Sequence, residues 1–381
     1  MAKNANLGAA KNAKNDEFYT QYADIQKEVN AYIEYNPDVF RGKTILLPCD
    51  DPEWSNFTKF FAQNFEFFGL KKLISTSYAI ESKKYKTDWQ PTLFETENPL
   101  YNVEKSRIKG KIFTLTHDTN ANGRIDIDDL RWEYLEGDGD FRSAEVTALR
   151  DEADIIITNP PFSLFREFLA WIMEGEKQLL ILGNTNATTC KEVFPLIKEN
   201  KIWYGASSGS RTYFTPQGEK QTMGNTCWFT NLDHGRRHEA LKLMTLADNL
   251  KFNKKMKGQA EYYQYDNFEA IEVPSTSAIP SDYLGIMGVP ISFLDRYCPE
   301  QFEILGLTQI GCHDEVPDHK RYNNYKEVER VSGRPTGSSG GKTNENAVLR
   351  GEGDKKTYYL GPNGEKVYSE YKRIFIRHKK Q

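Results

Sequence analysis

The chain has little cysteine, no long apolar run and almost no net charge. Its five cysteines, Cys49, Cys190, Cys227, Cys298 and Cys312, are scattered, and no two stand at the C-x-x-C spacing of a zinc or redox site. They read as thiols of a reducing compartment, which sets aside a disulfide-stapled secreted fold. The N-terminus, MAKNANLGAAKNAKNDEF, lacks the apolar segment of a signal peptide, and no run reaches the length of a membrane span. A cytoplasmic protein with no membrane partner is expected. The formal net charge of −4 neither announces nor excludes a nucleic-acid partner, because a near-neutral total can hide a basic face. The six histidines form no ligand spacing and no triad, and Asp233-His234 reads as a structural pair. No metal site is expected, and no internal repeat is found.

What is present suffices for packed cores: 38% of the 381 residues are hydrophobic and 13% aromatic, and the length suggests about two domains. Residues 1–15 are small, polar and basic and read as a mobile arm. Residues 24–35 have helical spacing, with Ile25, Val29, Tyr32 and Ile33 on one stripe. Short apolar runs then alternate with helical stretches. Residues 44–48, 72–76, 154–158 and 178–183 read as buried strands, and residues 54–68, 164–173 and about 191–199 as helices. That alternation predicts a doubly wound α/β domain over residues 16–235, with a mostly parallel sheet closed by an antiparallel pair at 211–215 and 227–231. Residues 236–381 are patchier, aromatic and basic, and are expected to form a mixed α+β region. Within it, residues 332–341 read as a flexible loop, residues 358–360 and 367–376 as a terminal hairpin, and residues 372–380 as a basic strand-like tail.

The chemistry is concentrated in Asn159-Pro160-Pro161-Phe162, directly after the run Asp154-Ile-Ile-Ile-Thr158. The carboxyl end of a parallel strand is where open α/β sheets place their sites. Two successive prolines fix φ and hold the Asn159 side chain and the Pro160 carbonyl in place. An amino group conjugated to a planar ring is a poor nucleophile, because its lone pair is delocalised. The Asn159 side-chain oxygen and the Pro160 carbonyl can accept its two N–H groups and aim the lone pair at a methyl donor. Phe162 offers a face on which an extruded base can stack. Positioning and electrostatics supply the gain, with no side-chain nucleophile.

The sequence resembles the EcoRI-type adenine-specific DNA methyltransferases over nearly its whole length. The resemblance is densest at Asp16-Glu-Phe-Tyr-Thr-Gln-Tyr22, Cys49-Asp-Asp-Pro-Glu-Trp-Ser-Asn-Phe57, Gly137-Asp-Gly-Asp-Phe-Arg-Ser143, Thr158-Asn-Pro-Pro-Phe-Ser-Leu-Phe-Arg166 and Met287-Gly-Val-Pro-Ile-Ser-Phe293. It implies an S-adenosylmethionine-dependent methyltransferase fold, methyl transfer to adenine N6 in double-stranded DNA with base flipping, and a C-terminal target-recognition region. A cognate restriction endonuclease is a further partner to expect. For the cofactor it implies Phe18, Tyr19 and Thr20 over the methionine end, and Cys49, Asp50, Asp51 and Pro52 in the loop after the first strand. It also implies Asp138, Asp140 and Phe141 at the adenine, with Asn159 and Pro160 bridging to the target base. The Gly-rich turn that most methyltransferases of this fold carry is replaced by Cys49-Asp-Asp-Pro52. Which of the two acids touches the ligand is left open, and one of them could instead cap the helix that follows.

Three alternatives stand beside this reading. The same loop serves enzymes that methylate guanine N2 in RNA or a glutamine amide in protein, and a non-catalytic DNA-binding protein could keep the fold. Residues 118–129 have the spacing of a calcium loop, yet Asn122-Gly123 between residues 112–115 and 125–127 favours a hairpin. The basic pairs Arg236-Arg237, Lys254-Lys255 and Lys320-Arg321, with the tail from Lys372, are the candidates for phosphate contacts.

Overall fold

The computed structural model describes residues 19–52, 55–79, 99–117, 132–209, 211–214, 220–309 and 315–379, together with Thr96, Ile125, Asp129 and Gly311. The chain divides into two compact units, one from residues 1–187 and 202–235, the other from residues 188–201 and 236–381.

In chain order the first unit carries β1 (Tyr19–Thr20), α1 (Tyr22–Tyr35), β2 (Thr44–Leu47), α2 (Asn56–Gln63), α3 (Phe65–Phe68), β3 (Lys72–Thr76), α4 (Val103–Ile108), β4 (Lys111–Leu115), β5 (Trp132–Tyr134), α5 (Ala144–Glu152), β6 (Ile155–Thr158), α6 (Phe165–Glu174), β7 (Gln178–Asn184), β8 (Trp203–Tyr204), β9 (Arg211–Phe214), β10 (Lys220–Met223) and β11 (Thr226–Thr230). Eight strands form one sheet in the order β5-β4-β3-β2-β6-β7-β11-β8. Its centre, β3-β2-β6-β7, is parallel, and both flanks are antiparallel. Every residue of β2 and β6 is buried, as continuous apolar runs covered on both faces should be. Because β3 lies on one side of β2 and β6 on the other, the strand order reverses between β2 and β6. A crevice opens at such a reversal, beyond the carboxyl ends of the strands.

Two expectations are corrected here. The strand that closes the sheet with β11 is β8, whereas β9 lies in a separate three-stranded sheet with β1 and β10. Both edges of β9 are taken, by β1 and by β10, so it reaches β11 only through side chains: Arg211 Nη1 donates to the Thr226 carbonyl at 2.8 Å, and Tyr213 OH donates to Thr226 Oγ1 at 2.9 Å. These contacts tie β9 to β11 without backbone pairing. The single helix expected over 54–68 is broken at Asn64, whose Nδ2 donates to the Phe60 carbonyl at 2.8 Å and competes with the helical ladder. Phe40, Phe60, Phe61 and Phe68 still form one aromatic cluster below it. β4 pairs with β3 on one side and antiparallel with β5 on the other, through Lys111↔Tyr134, Ile112↔Glu133 and Phe113↔Trp132; of the expected partner 125–127 only Ile125 is among the described residues. The Asn122-Gly123 turn and Asp118 lie outside the described residues.

The second unit contains α7 (Phe194–Lys198), α8 (Leu246–Phe252), β12 (Ile271–Glu272), β13 (Met287–Pro290), β14 (Phe302–Leu307), β15 (Lys326–Glu329), β16 (Pro335–Ser339), β17 (Val348–Arg350), β18 (Thr357–Leu360), β19 (Lys366–Ser369) and β20 (Arg373–His378). They make a four-stranded sheet, β12-β13-β20-β14, and a five-stranded one, β16-β15-β18-β19-β17. Residues 335–339, expected as flexible loop, are strand β16 paired with β15. The terminal hairpin is real between β18 and β19, but residues 373–378 leave it to become an inner strand of the other sheet. Arg373 is buried there and makes a bidentate pair with Glu272.

In the first unit a buried acid holds the backbone between β8 and β9. Glu28, on the apolar stripe of α1, accepts from the amides of Ala206 and Ser207 at 2.7 Å each and from Tyr32 OH at 2.8 Å. Burial raises its carboxyl above the ordinary range, while those donors pull the other way. Glu28→Ala removes the acceptor of two half-buried amides and of the buried Tyr32 hydroxyl and is expected to cost about 3 kcal/mol of unfolding free energy, read from urea denaturation.

Candidate active site

The loop after β2 is anchored by Asp50. Its backbone amide donates to the Thr76 carbonyl at 3.0 Å, and its carbonyl accepts from Ser75 Oγ at 2.5 Å. Its carboxyl is buried, with one oxygen accepting from Ser55 Oγ and the other from Thr158 Oγ1, both at 2.6 Å. Ser55 is the N-cap of α2, where its Oγ accepts from the Phe57 amide at 3.0 Å. The cap is therefore Ser55, and Asp50 holds the cap. Asp51 is half-buried and Pro52 buried, with Cys49 half-buried before them.

The loop after β6 begins one residue beyond Thr158. Asn159 is half-buried and Pro160 buried. Pro161 has φ −54° and ψ 123°, and its carbonyl accepts from the Leu164 amide at 2.9 Å, closing a single 3-10 turn over Phe162–Leu164 before α6. Phe162 is half-buried on that turn. Asn159 Nδ2 donates to Thr20 Oγ1 at 3.2 Å, and the Thr20 carbonyl accepts from Asn56 Nδ2 at 2.8 Å. Thr20 belongs to β1, which pairs with β9 through Tyr19↔Phe214 and Thr20↔Tyr213. Thus residues from three separated segments, Thr20, Asp50 and Asn159, meet at the strand-order reversal. Phe18 lies outside the described residues.

The turn containing Asp138 to Phe141 packs on the backbone that leaves β3. The Ala79 amide donates to the Asp138 carbonyl at 2.7 Å. Gly139 has φ +82°, and a Cβ there would stand 2.2 Å from the Ser77 carbonyl oxygen, so only glycine fits. Asp138 Oδ1 accepts from the Asp140 amide at 3.1 Å, and Asp140 takes a bidentate pair from Arg142 at 2.9 and 2.7 Å. The Arg142 guanidinium holds the Asp140 carboxyl below the ordinary range. Phe141 is buried edge-to-face against Phe168 and Trp171, with ring centroids 5.0 and 5.6 Å away. Tyr78 stands beside the same acids. Its phenol is raised first by burial and then by the Asp138 and Asp140 charges.

Sequence reasoning passed over Ser55, Thr158, Tyr78 and Arg142. Thr158 had a signal: it is the one polar residue at the end of an otherwise aliphatic buried strand, where a hydroxyl needs a partner. Among the described residues no group of three or more His, Cys, Asp or Glu is placed to hold a metal, and no helix is long and apolar enough to cross a membrane.

The basic candidates of the second unit fare unevenly. The segment from Lys372 is no free tail: Arg373 is buried on Glu272, Arg377 pairs with Glu303 at 2.8 Å, and Ile374, Phe375 and Ile376 are core. Lys320 and Arg321 pair with Asp266 and Asp318, whereas Lys254 and Lys255 are exposed.

An Asn-Pro-Pro-Phe loop at the reversal of an α/β sheet, facing an acidic loop, is an arrangement suited to transfer onto a planar amino group. The family model for the adenine-specific methyltransferase EcoRI matches residues 6–379. Type II methyltransferase M.EcoRI of Escherichia coli is 40% identical over 325 residues, covering 80% of this chain and 90% of the relative. Type II methyltransferases M.MpnI of Mycoplasma pneumoniae and M.MgeORF184P of Mycoplasma genitalium are each 33% identical over 314 residues, covering 78% of this chain and 83% and 84% of theirs. No solved structure matches. The chain belongs to the EcoRI family of adenine-specific methyltransferases, and is an enzyme, a site-specific DNA methyltransferase acting on adenine.

The buried Asp50 sets a pH dependence of stability. Burial pushes its carboxyl from 3.8 up to about 7 against the pull of Ser55 and Thr158, and the Asp51 charge adds to the rise. The folded state therefore holds a proton that the unfolded chain has lost. This contribution is fully present below the unfolded value and disappears as pH rises through the folded one, on the order of 4 kcal/mol between the limits. The isosteric Asp50→Asn should remove that slope. Chemical denaturation of both proteins from about pH 5 to 8 should show the wild type losing stability relative to the variant; parallel curves would refute the assignment.

Proposed function

We propose that this enzyme transfers the methyl group of S-adenosylmethionine to the N6 amino group of an adenine rotated out of duplex DNA, on a doubly wound methyltransferase sheet. The observation that carries the reading is the placement of Asn159 and Pro160 directly beyond β6, at the strand-order reversal and joined through Thr158 to the loop after β2.

The residues present fit such a cofactor. A loop with two adjacent acids, Asp50 and Asp51, repels phosphates and suits a ligand bearing hydroxyls and positive charge. Both Asp50 oxygens are already engaged, so Asp51 is the acid we assign to the ligand, with Cys49 and Pro52 shaping the loop. By the same reasoning Asp138 is the acid we assign to the cofactor adenine, with Asp140, whose two oxygens are held by Arg142, and the enclosed Phe141 ring supporting that turn. Tyr19 and Thr20, with Phe18, would cover the methionine end. When bound, S-adenosylmethionine supplies an electrophilic methyl carbon on a sulfonium.

The protein's own task is to present the amine. Asn159 Oδ1 and the Pro160 carbonyl accept its two N–H groups, which localises the lone pair and aims it. Pro161 keeps that carbonyl fixed, and Phe162 stacks on the extruded ring. The second unit is assigned to target recognition. The family match across residues 6–379 supports adenine in DNA over guanine in RNA or glutamine in protein, which share the loop. A cytoplasmic location and a cognate endonuclease accord with a modification enzyme of this family.

Asn159→Ala should lower the methyl-transfer rate on duplex DNA roughly 100- to 1,000-fold while leaving cofactor affinity nearly unchanged. Near wild-type turnover would falsify the mechanism. Expression of the active gene in a methylation-deficient host should add N6-methyladenine at one sequence motif, mapped genome-wide; absence of new modified adenine would sink the substrate assignment.

A further inference from the structure

The polar contacts around the site form a closed circuit. Starting at Asp50, one carboxyl oxygen takes the Thr158 hydroxyl; Thr158 is followed by Asn159; the Asn159 amide nitrogen donates to Thr20 Oγ1. The Thr20 carbonyl takes the Asn56 amide; Asn56 is preceded by Ser55; and the Ser55 hydroxyl returns to the second Asp50 oxygen. Two covalent steps and four hydrogen bonds join β1, the loop after β2, the start of α2 and the loop after β6. The two bonds to Asp50 are buried and shielded from competing water, and the two that Asn56 and Asn159 make to the buried Thr20 are half-buried.

We propose that Thr20 is a positioning residue for Asn159, and that Asp50 closes the circuit that holds both. This rests on the reading above, in which Asn159 accepts from the target amine. A side-chain amide is nearly symmetric in shape but opposite in polarity at its two ends. With nitrogen turned to the target, Asn159 would oppose donor to donor. The Thr20 hydroxyl restrains the rotation of the carboxamide, and with the nitrogen on Thr20 Oγ1 the oxygen lies on the opposite side. Family resemblance placed Thr20 among the cofactor residues only; the geometry gives it a second task, exercised through Asn159. The circuit also links the loop assigned to the cofactor with the loop assigned to the base, so a shift of one displaces the other.

The test is steady-state and single-turnover methylation of duplex DNA by Thr20→Val, Thr20→Ser and Asn159→Ala, with KM for S-adenosylmethionine and for DNA. Thr20→Val should lower kcat and the single-turnover rate roughly 10- to 100-fold at saturating S-adenosylmethionine, with KM for DNA within about threefold of wild type. Thr20→Ser, which restores the hydroxyl, should return to within about threefold of the wild-type rate. In the Asn159→Ala background, Thr20→Val should have no further effect, because the group it positions is gone. Should Thr20→Val fail to fold, Asn56→Ala, which removes the donor to the Thr20 carbonyl, is expected to show the same kcat loss. An unchanged kcat, or a loss confined to KM for S-adenosylmethionine, overturns the proposal and leaves Thr20 a cofactor contact at most. If Thr20→Val behaves as wild type while Asn159→Ala is inactive, only this inference fails. If Asn159→Ala itself is active, the reading beneath it fails as well.

Discussion

The Asp50 carboxyl has both oxygens engaged by hydroxyl donors, Ser55 Oγ and Thr158 Oγ1, each at 2.6 Å and each on a different segment. One donor caps the helix that follows β2, and the other ends β6. The carboxyl therefore spans the place where the strand order reverses, and it fixes the spacing of the two loops that leave the sheet there. Its own backbone is tied in turn to Ser75 and Thr76 at the end of β3. Three parallel strand ends converge on one buried residue, β2 and β3 through its backbone and β6 through its side chain. Water is excluded from it, so each bond is strong, and loss of one partner would leave a buried acceptor unmet.

That arrangement carries an electrostatic cost. Burial raises the carboxyl to about 7, so near neutrality the group sits at the edge of ionisation. An apolar residue there would pack without this penalty, but it could not pin two hydroxyls at once. Buried polar groups are kept in proteins mostly where geometry matters more than stability. Here the geometry at stake is that of Asn159, one residue beyond the Thr158 hydroxyl.

The central strands were legible because a parallel sheet covered on both faces demands unbroken Ile and Leu, and residues 45–47, 155–157 and 179–182 supply them. The position of Asn159 followed directly, since the motif is contiguous with its strand. What escaped was set by side chains distant in sequence. β9 is kept out of the large sheet by β1 and β10 on its two edges, and β1 lies about 190 residues earlier in the chain, so no local pattern encodes that. Asn64 interrupts a Phe-rich helix by bonding its own preceding turn. The segment from Arg373 reads as a basic tail by composition, yet Glu272, 101 residues away, neutralises its first arginine and draws it into a core. Residues 188–201 pass into the second unit between two strands of the first, and nothing in their composition marks the departure. Thr20 could be matched to a motif, but its bond to Asn159 spans 139 residues.

Methyl transfer to an exocyclic amine makes unusual demands, because the proposed step uses no nucleophile of the protein, and the proton that the amine sheds once methylated passes to solvent. The protein contributes only direction: acceptors placed where N–H groups will point, held before the substrate arrives. A site of that kind is only as good as the residues that keep its acceptors from turning. Prolines at 160 and 161 fix the backbone carbonyl, but they do nothing for the rotation of the Asn159 side chain. A carboxamide turned end for end changes shape very little and reverses its polarity completely. The hydrogen-bonded frame through Thr20, Asn56, Ser55, Asp50 and Thr158 supplies the constraint that the prolines cannot. In this reading the stiff loop and the buried polar circuit are two halves of one device, the first fixing the backbone acceptor and the second the side-chain acceptor.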